Sequence, residues 1–318
     1  MKIALIGAGA AGAACVSVLR SRGADFCVFE KSRGVGGRLA TRRISGCVPT
    51  GDIFYDHGTP QFNLSAPMLN QLLVSLKPQT IESWNNDSLI ACPSMPQLVK
   101  DLLNQSQVTT NFEVDAIEGK AGKWFLREKK SPETSTAKTI GPFDQVILTA
   151  PGPQARAILR ETNCSWKDQI ETIAYSPCWV LMVSLSKNMS VNSRTSEIFQ
   201  NKIYFQQSRP RRTYLENVFS WVAHASTEWT QTHLEQTPDD IHAALMKEFL
   251  DHFSATENQI LHSVVHRWRY ASVTNSLGCS HLADSDLGLF YAGDGCLGRG
   301  VEGALESGLA LGQELTIS

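Results

Sequence analysis

The chain has 318 residues, 42% of them hydrophobic and 19% charged, the make-up of a globular protein with a sizeable core. That is about twice the usual domain length, so either two domains or one large α/β domain is expected. Its 29 Lys and Arg stand against 31 Asp and Glu, a formal net charge of −2, which argues against nucleic acid or a polybasic membrane surface as partner.

Eight cysteines are scattered without a Cys-x-x-Cys pair, as reduced thiols are rather than a disulfide framework or a zinc site. Ile3 to Leu19 carries no charge and follows Lys2, as in a signal peptide. Glycines at fixed offsets and a strand starting at residue 2 argue instead for a folded N-terminus. No later uncharged run reaches about 18 apolar residues, so no membrane span is expected. The resulting expectation is a soluble cytoplasmic protein.

In chain order, Lys2 to Ile6 reads as a short strand ending at Gly7, Ala13 to Arg22 as a small-residue helix, and Asp25 to Glu30 as a second strand. A βαβ unit therefore opens the chain. A polar stretch with short strands follows. Helical spacing recurs over Pro67 to Leu76 and Met95 to Leu103, the second with Ser94 as its expected N-cap. Strands around Val108 to Val114 and Lys123 to Glu128 flank a turn at Glu118 to Gly122, and the polar stretch Lys129 to Gly141 predicts a loose hairpin tip. Phe143 to Thr149 is a near-continuous apolar run halted by Ala150-Pro151-Gly152-Pro153, as buried parallel strands are. Beyond it, Trp179 to Ser186, Lys202 to Gln207, Val218 to His224 and Gln259 to Val273 alternate like sheet strands. Asp239 to Phe253 is an amphipathic helix, and the strand Leu287 to Ala292 leads to a helix over Val301 to Leu315.

Three segments carry chemistry. Gly7-Ala8-Gly9-Ala10-Ala11-Gly12 is a G-x-G-x-x-G placed after a strand and opening a helix. Gly7 permits the turn, Gly9 lets backbone approach a pyrophosphate, and Gly12 lets helix and strand pack closely. Phosphates then meet the helix N-terminus, and Glu30, ending the next strand, is placed to accept ribose hydroxyls. Directly afterwards, Lys31 to Arg43 holds five cations, no acid and the glycines Gly34, Gly36 and Gly37. Backbone N–H groups there, with Arg38, suit a second approach to the same pyrophosphate, which favours FAD over NAD. Finally, a strand ends at Gly293-Asp294 before a glycine-rich stretch and the last helix. Asp294 suits ribityl hydroxyls, and that helix N-terminus suits the flavin pyrimidine carbonyls. Gly293 to Gly298 repeats G-x-G-x-x-G, but no strand and ribose acid follow it, so it is not read as a second dinucleotide site.

Together these blocks resemble the glutathione-reductase/amine-oxidase superclass of FAD enzymes. Within it FEKSRGVGGRLATRR (29–43), YDHGTPQF (55–62), FDQVILTAPGPQA (143–155), YSPCWVLM (175–182), HRWRYA (266–271) and LFYAGDGCLGRGVEGALESGLA (289–310) resemble the renalase family. The resemblance runs nearly end to end with the blocks in order. It implies an FAD-dependent oxidase of the 2- and 6-dihydro isomers of NAD(P)H, which returns NAD(P)⁺ and passes the electrons to O₂, giving H₂O₂. The implied fold is α/β, a Rossmann-like FAD-binding domain with an interleaved β-sheet-rich substrate domain. The FAD-binding domain is expected at 1–62, 93–160 and 284–318, and the substrate domain at 63–92 and 161–283. Carried over by residue, FAD contacts fall on Ala10, Ala11, Glu30, Lys31, Gly36, Gly37, Arg38, Gly293, Asp294, Glu302 and Gly303. Val114 would meet the adenine through its backbone. The segment Gly58-Thr59-Pro60-Gln61 would lie near the flavin, although the family usually reads Gly-Ala-Gln-aromatic there. Relatives also often carry a bulky residue where this chain has Gly295. FAD is expected to be held non-covalently, with Cys296 the nearest thiol.

Hydride transfer from a dihydropyridine needs ring placement rather than a general base, so a missing nucleophile or metal set fits. His262 and His266 lie four apart in an apparent strand, poor spacing for metal, and no metal is expected. In the strand through His266-Arg267-Trp268-Arg269-Tyr270 the faces alternate. Trp268 and Tyr270 are read as pocket walls and a nearby arginine, Arg269 among the candidates, as the partner of substrate phosphates. His57 and Gln61 are placed near the isoalloxazine. Tyr175, Trp179 and Trp221 are weaker candidates, more often core. The competing readings are a flavin amine oxidase and a non-catalytic FAD- or nucleotide-binding protein. The expected partners are a small-molecule substrate, a dihydronicotinamide isomer or an amine, and O₂.

Overall fold

The computed structural model describes residues 1–48, 51–85, 88–130, 137–189, 196–200, 202–206, 212 and 214–316. Most of the expected hairpin tip, at 131–136, and the expected strand end Gln207 lie outside them. Strand Lys2–Ile6 sits inside a six-stranded sheet ordered Leu282–Asp284, Leu289–Tyr291, Gln145–Leu148, Lys2–Ile6, Asp25–Phe29 and Val108–Thr109. Its strands run parallel except for the first. The apolar runs predicted for such strands supply two cores at once. Ile3, Leu5 and Ile147 face one hydrophobic cluster, while Ala4, Ile6, Val146 and Leu148 face another.

Helices Ala10–Ser21, Gln97–Leu103 and Gly300–Glu314 cover the first face. A Cβ on Gly308 would overlap the carbonyl oxygen of Ala11, so glycine there lets the first and last helices touch backbone to backbone. The second face is covered by an antiparallel sheet of Thr139–Phe143, Lys123–Glu128 and Val114–Lys120, which contributes Ile117, Trp124, Leu126 and Phe143.

A four-stranded antiparallel sheet holds Ile203–Phe205, Phe219–His224, Ala174–Leu185 and Ile260–Asn275 in that order. Helix Pro238–Phe253 packs Ile241, Leu245, Phe249 and Phe253 against Trp179, Leu181, Val183 and Trp221 on one face. Its start is set by Thr237, whose hydroxyl accepts from the Asp240 N–H, and by proline in the first turn. The opposite face, through Val180, Met182 and Val222, meets Ile53 and Tyr55 of the hairpin Thr41–Val48/Gly51–Asp56. That hairpin leaves the cationic block directly and carries it to the second sheet.

Several boundaries differ from expectation, among them the early start of the strand expected from Trp179, which begins at Ala174, and three with a local physical reason. The helix expected from Met95 begins at Gln97 with Pro96, not Ser94, at its N-cap. Pro96 has no N–H to donate, and the Gln97 N–H turns back to the Ser94 carbonyl at 2.9 Å. Val108 to Val114 is not one strand: Asn111 and Phe112 donate backbone N–H groups to Ser32 and Glu30 at 3.0 Å, which takes them out of any ladder. Between Gly293 and the last helix lies a short helix, Asp294–Leu297, rather than an open loop.

Candidate functional site

The glycine turn and the block after Glu30 meet. The Gly36 N–H donates to the Ala8 carbonyl at 2.8 Å, and a Cβ on Gly37 would stand 3.4 Å from the Gly9 Cα. The three motif glycines do different things. A side chain on Gly12 would overlap the Gly7 carbonyl oxygen, so packing of the protein itself demands glycine there. One on Gly9 would meet nothing within 4 Å, and Gly9 has an extended backbone open to any residue. The space beside Gly9 at the start of a 12-residue helix is therefore kept clear by the sequence without serving the fold, as a pyrophosphate cradle requires.

Glu30 is buried at the end of its strand. Its Oε2 accepts from the Ala8 N–H and its Oε1 from the Ser32 N–H, both at 2.9 Å, which fixes the carboxylate beside the turn with lone pairs left for hydroxyl donors. Lys31 is exposed and reaches Gln154 Oε1 at 3.3 Å. Val114 opens the edge strand of the three-stranded sheet.

Arg38 and Asp294, 256 positions apart, form a bidentate pair at 2.6 and 2.7 Å. Burial works against the Arg38 charge, and the Asp294 carboxylate more than offsets it, so its pKa is raised. The guanidinium also lies over the Tyr175 ring at 5.9 Å. Tyr175 in turn accepts from the Gly152 N–H at 3.2 Å and fills the space that a larger residue at Gly295 would need. The departure from the family pattern at Gly295 thus has a physical partner in Tyr175.

Next to this pair runs Asp56 to Gln61. The Thr59 N–H donates to the Arg38 carbonyl at 2.8 Å. A Cβ on Gly58 would overlap that same carbonyl oxygen and stand 3.2 Å from Trp268. His57 is buried, and its ring stacks on Trp268 with centroids 5.3 Å apart at 27°. The Trp268 indole N–H donates to the His57 carbonyl at 3.1 Å. His266 stands edge-on to both rings, at 4.9 Å and 4.5 Å, and Tyr270 continues the row against Tyr175 at 5.6 Å. Burial pushes the His57 pKa down to about 3, with His266 and Arg42 adding to the effect, and pushes His266 down to about 4 with help from Arg42. Near neutral pH the wall is therefore aromatic and uncharged.

Comparison with known proteins gives this arrangement a family. Residues 5–76 match the NAD(P)-binding Rossmann-like domain, and residues 87–315 match the flavin containing amine oxidoreductase family. The chain belongs to the flavin-containing amine oxidoreductases. A solved structure, cyclohexylamine oxidase from Brevibacterium oxydans IH-35A, shares the fold with a TM-score of 0.64 at 12% identity, covering 98% of each chain.

Membership in the amine oxidoreductases makes the protein an FAD-dependent oxidoreductase. Its residues fit the cofactor: an open cradle at Gly9, a fixed carboxylate at Glu30, and the Gly36-Gly37 turn against the cradle. The structure brings together His57, Gly58, Thr59, Arg38, Asp294, Trp268 and Tyr270. It does not bring Arg269 to them. Arg269 lies on the opposite face of the strand, doubly bonded to Glu235 at 2.6 and 2.8 Å, and Arg267 shares that face, donating to the Leu234 carbonyl over the Trp179 ring. A strand's alternation sends these arginines outward when the aromatics point inward. Trp179 and Trp221 are core residues.

Other expected contacts have roles within the protein. Glu302 Oε1 accepts from the Ser65 N–H at 3.2 Å, which ties the last helix to the segment after Gln61. A Cβ on Gly303 would overlap the Gly298 carbonyl oxygen. Pro60 is buried, and Gln61 is half-buried beside Phe62, which bridges to Leu89. Sequence reasoning missed Arg42, counted among the pyrophosphate cations, and the buried pair of Asp56 with Arg212 at 2.8 Å. The acid-aromatic run Tyr55-Asp56 before His57 was a signal for Asp56; nothing local announced Arg42's isolation or Arg212. Among the described residues, no helix is long and apolar enough to cross a membrane.

Proposed function

We propose that the protein is a renalase-like oxidase that takes hydride from 2- or 6-dihydro isomers of NAD(P)H, returns NAD(P)⁺ and reduces O₂ to H₂O₂. The observation that carries this reading is the stacked pair of His57 and Trp268, with His266 edge-on to both, beside the Arg38–Asp294 pair. Among the described residues, the charged group that acts on both imidazoles is the cation Arg42. A planar dihydropyridine is matched by stacked rings, whereas a protonated amine would meet the positive field that Arg42 exerts on this wall. The ordered renalase-like blocks support it. Non-covalently held FAD would supply the two-electron acceptor and the route to O₂.

In this reading His57 and Trp268 position the substrate ring, Tyr270 extends the wall, and Gly58 lets its segment pack directly against the Arg38 carbonyl and Trp268. Transfer leaves an aromatic cation and no proton to move, so no general base is required of the protein. The FAD-binding domain comprises 1–62, 93–160 and 284–318, the substrate domain 63–92 and 161–283, and the protein works in the cytoplasm.

An amine substrate is the second reading, favoured by family membership and by the apolar surface of Trp268 and Tyr270. Anaerobic stopped-flow separates the two. Rapid flavin bleaching by 2- or 6-dihydro-NAD(P) without bleaching by monoamines is expected. Bleaching by amines alone sinks the proposal, and bleaching by neither favours a binding protein without turnover.

A further inference from the structure

Of the five cations between Lys31 and Arg43, most are answered by the protein itself. Arg38 holds Asp294, Arg43 holds Asp52, Lys31 reaches Gln154, and Arg33 is exposed to solvent. Arg42 differs. It is half-buried opposite Tyr55 in the hairpin, and its Nη1 is enclosed without a hydrogen-bond partner. Directly opposed residues of an antiparallel pair share a face, so Arg42 points with Tyr55 and His57 toward the face of the second sheet that carries His262, His266 and Trp268. Tyr55 stacks on His262 at 5.9 Å there, as His57 does on Trp268.

Among the described residues no anion is bonded to the enclosed Nη1 of this guanidinium. His57, His262 and His266 all feel its positive charge, and Arg33 is the charged group that acts on Arg42. Asp56, one register position from Arg42 across the hairpin, is engaged by Arg212 and Thr41. A guanidinium drawn partly out of water without a compensating anion is destabilising, and it persists where a ligand supplies the charge. Its planar fork takes phosphoryl or carboxylate oxygens equally well. The choice of a phosphoryl group over a carboxylate follows from the functional reading above, whose dinucleotide substrate carries phosphates; His57 adds no donor, because its Nδ1–H is given to the Tyr55 carbonyl at 3.4 Å.

We propose that Arg42 anchors a phosphoryl group of the substrate, so that the site selects a nucleotide-linked dihydropyridine over an uncharged one. The role that the sequence suggested for Arg269 thus passes to the opposite face of the same strand. The substrate class rests on the functional reading above; the anion site itself does not.

Flavin-loaded protein titrated with inorganic pyrophosphate tests the site directly, with binding read from tryptophan fluorescence and from the flavin absorption bands. Arg42→Gln is expected to weaken pyrophosphate binding about ten- to a hundredfold, the range for losing a charge-assisted contact. Arg42→Met, which keeps the packing of the stem, serves the same comparison should the Gln variant purify without flavin. No binding to the wild type, or equal binding in the variant, overturns the proposal. Succinate titrated in parallel decides the anion: tighter binding of succinate than of pyrophosphate overturns the phosphoryl assignment.

A second arm compares anaerobic flavin reduction by 6-dihydro-NAD with that by an uncharged N-alkyl dihydronicotinamide. The preference for the dinucleotide is expected to fall about ten- to a hundredfold in Arg42→Gln, and an unaltered preference counts against the proposal. If no dihydropyridine bleaches the wild-type flavin, the reading of the reaction fails while the pyrophosphate titration still decides Arg42.

Discussion

His57 lies flat on Trp268, and the indole N–H of Trp268 donates back to the His57 carbonyl at 3.1 Å. Ring and backbone of one residue are thus held by the other, although 211 positions separate them. Trp268→Ala removes both restraints and the wall. We expect the substrate half-saturation concentration for flavin reduction to rise about five- to tenfold, in line with about 1 kcal/mol for an aromatic pair, with flavin content retained. Trp268→Phe should recover part of the loss, and unchanged kinetics in the alanine variant would return Trp268 to a purely structural role.

The glycine turn offers a contrast within four residues. Gly12→Ala meets the Gly7 carbonyl, whereas Gly9→Ala meets only open space. Gly12→Ala should lower the urea midpoint of the flavin-free protein by an amount corresponding to about 1–3 kcal/mol. Gly9→Ala should leave that midpoint within about 0.5 kcal/mol and instead reduce the flavin retained through gel filtration. A Gly9→Ala protein that stays fully yellow would remove the pyrophosphate from this position.

Asp294→Asn withdraws the charge that answers Arg38 while keeping the shape. The loss of a charge-assisted pair is expected to cost about 1.5–3 kcal/mol of stability and to shift the visible flavin bands, because the Arg38 environment changes at the cofactor segment. A double variant with Arg38→Gln should be less destabilised than the two single effects added together; strict additivity in thermal unfolding would show that the pair is not coupled.

The histidines set a pH dependence. Burial pushes the His57 pKa down to about 3 and His224 down to about 4, whereas unfolded histidine titrates near 6.5. Below about pH 6.5 the unfolded chain therefore binds protons that the folded one refuses, and stability falls as pH falls. The slope is about 1.4 kcal/mol per pH unit for each such histidine, until the folded values are reached. Urea unfolding between about pH 6.5 and pH 5 should show a slope for His224→Gln shallower by that amount, and equal slopes would refute the assignment. By the same logic, flavin reduction should show no inflection near pH 6.5.

Much of this was readable from the chain. The opening strand, glycine turn and Glu30 carry a local pattern with one structural solution, and the apolar runs at Lys2 to Ile6 and Phe143 to Thr149 became neighbours in a parallel sheet as such runs do. The alternation through His266 to Tyr270 also sorted the faces correctly, separating Arg267 and Arg269 from the aromatics. It did not say which face looks toward the flavin's side, because that depends on the register with Ala174–Leu185 and on the hairpin that packs over it. Arg42 was invisible for a related reason: in sequence it is one cation among five, and its lack of an acid appears only once Asp52, Asp294 and Gln154 have been assigned to its neighbours. The N-cap shift to Pro96 is smaller in kind, a matter of one missing N–H.

The contact of Gly308 with Ala11 has a consequence for how the protein is made. The cradle begun by Gly7, Gly9 and Gly12 is bounded by a helix, Gly300–Glu314, and a strand, Leu289–Tyr291, that leave the ribosome long after it. Until those segments arrive, the first helix lacks its closest neighbour and Arg38 lacks Asp294. The early βαβ unit must wait with apolar surface exposed, which is the condition under which large, non-local topologies fold slowly and need protection from aggregation. FAD loading then belongs to the completed chain, and truncation within the last helix should deprive cells of a yellow protein before it deprives them of a site.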